Sequence, residues 1–140
     1  MIDSFSGEYD FLSNFYEREI LYNGVKYKTT EHAFQAAKAI NQEDHDLIMN
    51  SSTPGKSKKL GRTIKIKNNW DNIKNQIMYE IVSAKFNQHQ DLMNLLLKTR
   101  DEELIEGNWW KDTYWGVCNG VGTNYLGKIL MKIRSGVKLF

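Results

Sequence analysis

The sequence is poor in the residues that staple, kink or anchor a chain. A single cysteine, Cys118, excludes an internal disulfide and fits a reducing compartment. A single proline, Pro54, and the lack of any low-complexity stretch leave nothing that reads as a linker. The histidines, His32, His45 and His89, share no ligand spacing with one another or with Cys118. Neither CxxC nor HExxH occurs, so no metal site and no cofactor is expected. No apolar run approaches the roughly 18 residues of a membrane helix. Asp3, Ser4, Glu8 and Asp10 stand where a signal peptide would carry its apolar core. A cytoplasmic protein without a membrane partner is expected. Charge of one sign is also scarce: a net charge of +2 does not by itself imply nucleic-acid binding.

What is present suffices for a core. The hydrophobic fraction is 41%, and 140 residues suit a single domain, taken as 1–140. The clearest local signal is EILYNGVKY, two short β-prone runs around Asn23-Gly24, the dipeptide of a tight hairpin. Residues 2–6 and ELIEGN also read as short strands. TTEHAFQAAKA follows as a helix capped by Thr29 or Thr30, with Glu31 in its first turn. Further helices are expected at about 42–50, 54–61, 70–86, 91–98 and 124–134. Trp70, Ile73, Ile77, Ile81 and Ala84 would form the apolar stripe of the long one, and Leu92, Leu95 and Leu96 the inward face of the next. The aromatic EYDFLSNFYE and the glycine-rich WWKDTYWGVCNGVG read as loops. The fold class is α+β, mostly helical, with a small N-terminal β-hairpin or sheet.

Three stretches carry candidate chemistry. Glu31, Gln35 and Lys38 fall at i, i+4 and i+7, one face of a helix. A solvated stripe is the ordinary reading of such a row. Alternatively, an acid and an amine about 10 Å apart along the axis could hold a small substrate between them. PGKSKKLGRTIKIK carries Lys56, Lys58, Lys59, Arg62, Lys65 and Lys67 without an acid; it is either a solvated face or a phosphate contact, with Arg62 best placed after Gly61. Trp109, Trp110, Tyr114 and Trp115 crowd one loop, more than packing usually asks for. Asp112 stands among them, where desolvation would perturb a carboxylate. Trp70 reads as either a core anchor or a stacking platform. Cys118, alone among small residues, reads as structural rather than nucleophilic.

FSGEYDFLSNFYE, TTEHAFQAAKA, KKLGR, the Trp70 helix ending in AKF, DTYWG and GTNYLGKILMKIR occur in this order across essentially the whole chain. The ordered set resembles the NADAR family of N-glycosidases. The chain departs from the family pattern after Trp115-Gly116, where Val117, Cys118 and Asn119 precede the next glycine. The resemblance implies hydrolysis of a bond between ribose C1′ and nitrogen, with Glu31 as acid/base, Lys38 as nucleophile and Asp112 as a second carboxylate. It further implies Trp70 and Trp115 against the base, with Gly116 in the same loop. Arg62 and Lys85 would hold phosphate, and Asn14 and Asn124 ribose or base. Two substrate classes go with the family: early phosphorylated riboflavin-pathway intermediates, and ADP-ribose attached to guanine in nucleotide, DNA or RNA. The aromatic loop and basic stretch favour the larger, ADP-ribosyl substrate. The alternative from another class is a module that binds ADP-ribose without cutting it.

Overall fold

The computed structural model describes residues 1–136. Their contacts divide into two compact units, Asn14–Gln88 and Met1–Ser13 together with the chain from His89 onward.

The first unit opens with the hairpin that Asn23-Gly24 dictates. Strands β1 (Ile20–Tyr22) and β2 (Val25–Tyr27) pair antiparallel in the register Ile20↔Tyr27, Leu21↔Lys26 and Tyr22↔Val25. Asn23 (φ 51°) and Gly24 (φ 79°) both take the left-handed conformation that the two-residue turn requires. The side-chain amide of Gln88 stands in for a third strand: it accepts the Leu21 N–H at 2.8 Å and donates to the Leu21 carbonyl at 2.7 Å. Helices α1 (Thr30–Ala37), α2 (Gln42–Met49) and α3 (Pro54–Gly61) each start at a residue whose side chain accepts a backbone N–H. These caps are Thr29, Asn41 and Thr53, and Pro54 occupies a first-turn position of α3, where its missing N–H costs nothing. Helix α4 (Trp70–Gln88) is the longest.

Helix α1 packs against α2, α3, α4 and β2. Ala33 and Ala36 are small enough to let these neighbours close in, and residues 30–36 are all buried. Eight residues are too few for a helix to persist on its own, so packing holds it. Burial obliges its polar side chains to find partners. Thr30 Oγ1 donates to Asn14 Oδ1 at 2.9 Å. His32 lies 2.8 Å from Thr29 Oγ1 through Nδ1 and 3.0 Å from the Ser51 carbonyl through Nε2. A neutral ring protonated on Nε2 satisfies both contacts.

The second unit contains a 3₁₀ turn at Gly7–Leu12 and helices α5 (Gln90–Lys98) and α6 (Tyr125–Ser135), with α5 against α6. Ile2 bridges Leu104 and Gly107 bridges Val117, both in parallel, so residues 2–6 and ELIEGN contribute single bridges rather than strands. Asn119-Gly120, left-handed at both residues, turns the chain between the paired Cys118 and Val121.

The α+β, mostly helical class stands, with the hairpin's two strands, and neither residues 2–6 nor ELIEGN, forming sheet among the described residues. Two buried faces differ from expectation. In α4 the buried side chains are Trp70, Met78, Ile81, Val82, Lys85 and Phe86, while Ile73, Ile77 and Ala84 are only half-buried. Apolar residues lie on more than one side of this helix, and the elements packed on it choose among them. In α5, Leu92 and Leu96 point inward and Leu95 is exposed.

Burial holds the His32 pKa below its ordinary 6.5, so the neutral ring's contribution to stability is present above that pH and is lost as the pH falls below it. Urea unfolding should therefore show stability declining as the pH falls below about 6.5. His32→Ala should cost about 1–3 kcal/mol at pH 7.5 and flatten that decline.

Candidate active site

The row Glu31, Gln35 and Lys38 is not a solvated stripe. Glu31 is 7% exposed and Gln35 5%. Gln35 Nε2 donates to Glu31 Oε2 at 2.7 Å, and the Asn14 carbonyl accepts the Glu31 backbone N–H at 3.1 Å. Asn14 also donates through Nδ2 to Met78 Sδ at 3.5 Å, so it ties the first turn of α1 to α4. The partner closing this face is α3. A Cβ on Gly61 would lie 2.0 Å from Gln35 Oε1, so only glycine lets α3 come this close.

Lys38 caps the C-terminus of α1 and is half-buried. Its carbonyl accepts the Lys67 N–H at 3.0 Å beside the Ala39–Ile66 bridge, which fixes where its side chain starts. Burial lowers its pKa from the ordinary 10.5, chiefly by penalising the ammonium form. Glu31 pulls in the opposite direction, whereas Arg62, Lys58 and Lys74 add to the lowering. The structure therefore brings Glu31, Lys38 and Arg62 into one electrostatic neighbourhood. From the basic stretch, only Lys58 joins Arg62 in acting on Lys38; Lys56, Lys59 and Lys65 are exposed.

Trp70 is 5% exposed, with its ring 5.1 Å from that of Phe34 and tilted against it. Lys85 is 1% exposed, and its Nζ lies 5.4 Å from the Tyr16 ring centre and 5.3 Å from that of Phe86. Both sit in the interior. A separate cleft of about 350 Å³ touches α1 at Ala36 and Ala37 and is lined also by Ala39, Tyr22, Tyr27 and His45. Glu31, Gln35 and Lys38 do not line it, so its size does not identify the chemistry.

In the second unit, Asp112 organises the aromatic loop. Its Oδ1 accepts the N–H groups of Tyr114 at 3.0 Å and Trp115 at 2.9 Å. Asn108 brackets it, accepting its N–H at 3.0 Å and donating to its carbonyl at 2.8 Å. Trp115 is half-buried and packs edge-on against Tyr114 and Tyr125, with ring centres 4.8 and 6.4 Å away. Of the other two aromatics of this loop, Trp109 is 84% exposed and packs edge-on against Trp110, with ring centres 5.6 Å apart. A Cβ on Gly116 would meet the Glu106 carbonyl at 2.2 Å. Asn124 is buried, and its amide holds backbone at both ends, accepting from Glu106 N–H at 3.0 Å and donating to the Leu104 carbonyl at 2.9 Å. Among the described residues no group of His, Cys, Asp and Glu gathers to hold a metal, and no helix is long and apolar enough to cross a membrane.

Two residues of this arrangement have no role assigned to them by the sequence. Gln35 was visible in the helical row, but nothing in the sequence showed that it would be buried on Glu31. Gly61 looked only like a turn residue.

The model of the NADAR domain matches residues 3–138, spanning both units, so the chain belongs to the NADAR family. It is 38% identical to N-glycosidase YbiA of Shigella flexneri serotype 5b over 134 residues, 94% of this chain and 83% of that protein. The NMR structure of the E. coli protein YbiA is similar at a TM-score of 0.86 and 34% identity, covering 97% of this chain and 86% of that one. The riboflavin biosynthesis protein VVA0006 of Vibrio vulnificus is 34% identical over 89% of this chain and 34% of its own length.

The two backbone bonds made by Asp112 should separate its structural part from any chemical one. Asp112→Asn keeps an acceptor oxygen and should melt close to the wild type. Asp112→Ala leaves the Tyr114 and Trp115 N–H groups without it and should lose about 1–3 kcal/mol in thermal unfolding.

Proposed function

We propose that the protein removes ADP-ribose from guanine by hydrolysing the bond between ribose C1′ and nitrogen. The chain is an N-glycosidase; the choice of substrate and the residue roles are this proposal's own. The observation that carries it is the pairing of a buried Glu31 with a lowered-pKa Lys38 on one helix. Breaking a ribosyl C–N bond builds positive charge at C1′, which a nearby carboxylate stabilises. A lysine with a lowered pKa holds more of its amine in the neutral, nucleophilic form. In this reading Lys38 Nζ bonds to C1′ as the C1′–N bond breaks, and that bond's electron pair leaves with the base. Glu31 takes the proton shed by the substituted amine and passes it to the departing nitrogen. The ribosylamine then opens to a Schiff base, which water hydrolyses to ADP-ribose and the free Lys38 amine.

Side chains on a helix lean toward its N-terminus, so the long stem of Lys38 can reach back toward Glu31. Arg62 is the phosphate contact, with Lys58 and Lys74 adding to the positive field. Lys85, enclosed by rings, contributes potential from the interior rather than a contact. Trp70 bounds the site through Phe34. Asn14 sets the Glu31 backbone. In the second unit, Asp112 holds the loop that carries Trp115 and Gly116, and Asn124 fixes the backbone beside it. Guanine modified within DNA or RNA would have to be exposed or flipped to be reached.

A second reading, hydrolysis of a phosphorylated riboflavin intermediate, is favoured by the Vibrio relative's name. Side-by-side assays with ADP-ribosyl-guanosine and that intermediate decide between the two. A reader of ADP-ribose that does not cut would show stoichiometric binding and no released base.

Lys38→Ala should lower base release by at least about a hundredfold, and borohydride added during turnover should attach the ADP-ribosyl group covalently to Lys38. Near-equal rates in wild type and variant would remove Lys38 from the mechanism. Because its pKa lies below 10.5 in the fold, kcat/KM should rise with pH and level off before that value. Arg62→Ala should raise KM for the phosphorylated substrate more than it lowers kcat.

A further inference from the structure

We infer that Gln35 is a positioning residue whose amide fixes the orientation of the Glu31 carboxylate, with Gly61 as the seat that lets the amide do so. This rests on the role proposed for Glu31. Gln35 is buried, and its Nε2 donates to Glu31 Oε2 at 2.7 Å. Its own Oε1 is buried without a hydrogen-bond partner and faces Gly61 at the end of α3. A buried amide with one end unsatisfied is a net cost to the fold. An apolar side chain of the same length would fill the space without that cost. The amide earns its place only at the end that touches Glu31.

The direction of the amide is informative as well. Turned over, it would set Oε1 against a carboxylate oxygen, two acceptors facing each other. In the orientation found, Glu31 Oε2 is occupied as an acceptor, so that the rotation of the carboxyl group is settled before substrate arrives. Such preorganisation matters because small misplacements of a reacting group are expensive in rate. Gly61 belongs to the same device. A Cβ there would lie 2.0 Å from Oε1 and 2.9 Å from Cδ, so any other residue would push the amide off Glu31.

The two explanations of Gln35 predict different behaviour from Gln35→Met, which keeps length and removes the donor. If Gln35 only fills space, melting temperature holds or rises and turnover is unchanged. If it positions Glu31, melting temperature holds or rises while kcat falls about tenfold to a hundredfold, with KM within about twofold. The assay uses whichever of ADP-ribosyl-guanosine and the phosphorylated riboflavin intermediate the wild type cleaves. Gly61→Ala should give the same kcat loss, and adding it to Gln35→Ala, where no amide is left to displace, should cost nothing further. Unchanged kcat in a folded Gln35→Met, or additive losses in the double variant, would overturn the inference. Glu31→Gln keeps the two outcomes apart. If it is inactive while Gln35→Met is fully active, only the positioning role fails. If it retains full activity, the role of Glu31 itself fails.

Discussion

The burial of α1 is the constraint on which the first unit depends. Seven of its eight residues are out of solvent, and three other helices and a strand lie against it. Polar groups in such a place must be paired, and the pairings found here are directional. Thr30 and the Glu31 backbone are held by Asn14, His32 by Thr29 and Ser51, and the Glu31 carboxylate by Gln35. A helix that could not persist alone thereby becomes a fixed support for an acid at one end and an amine at the other.

The amine is tuned by competition. Burial and three neighbouring cations weaken its hold on a proton, and Glu31 strengthens it. The same carboxylate therefore serves two opposed ends in the proposed chemistry: it keeps some charge on Lys38 at rest, and it is ready to take the proton that nucleophilic attack releases. Were burial the sole influence, the amine would hold its proton more weakly still and have no acid beside it. Were Glu31 the sole influence, it would remain an ion pair and react poorly.

Much of the local structure was legible because it is written in short-range chemistry. Asn23-Gly24 announced its turn, Thr29 and Pro54 their helix starts, and the ordered motifs their family. The second Asn-Gly, Asn119-Gly120, makes the same turn but was read as loop, because Cys118 and Val121 are not flanked by alternating β-formers. What was not legible depends on partners distant in sequence. Gln35 is covered by Gly61, far along the chain, and the buried face of α4 is set by elements that no periodicity within α4 reveals. Asp112 reads from sequence as a carboxylate among aromatics. Only the fold shows it also holding two backbone N–H groups, so that a chemical and a structural duty can share one side chain.

The bonds from Gln88 to Leu21 have a consequence beyond the hairpin. Since both backbone groups of Leu21 are engaged by that side chain, they point away from β2, and they form the open margin of the small sheet. An uncovered margin of this kind invites an extended segment of another molecule to dock and propagate. A single glutamine at the end of α4 occupies that margin, so a protein with barely any sheet also guards against self-association through it.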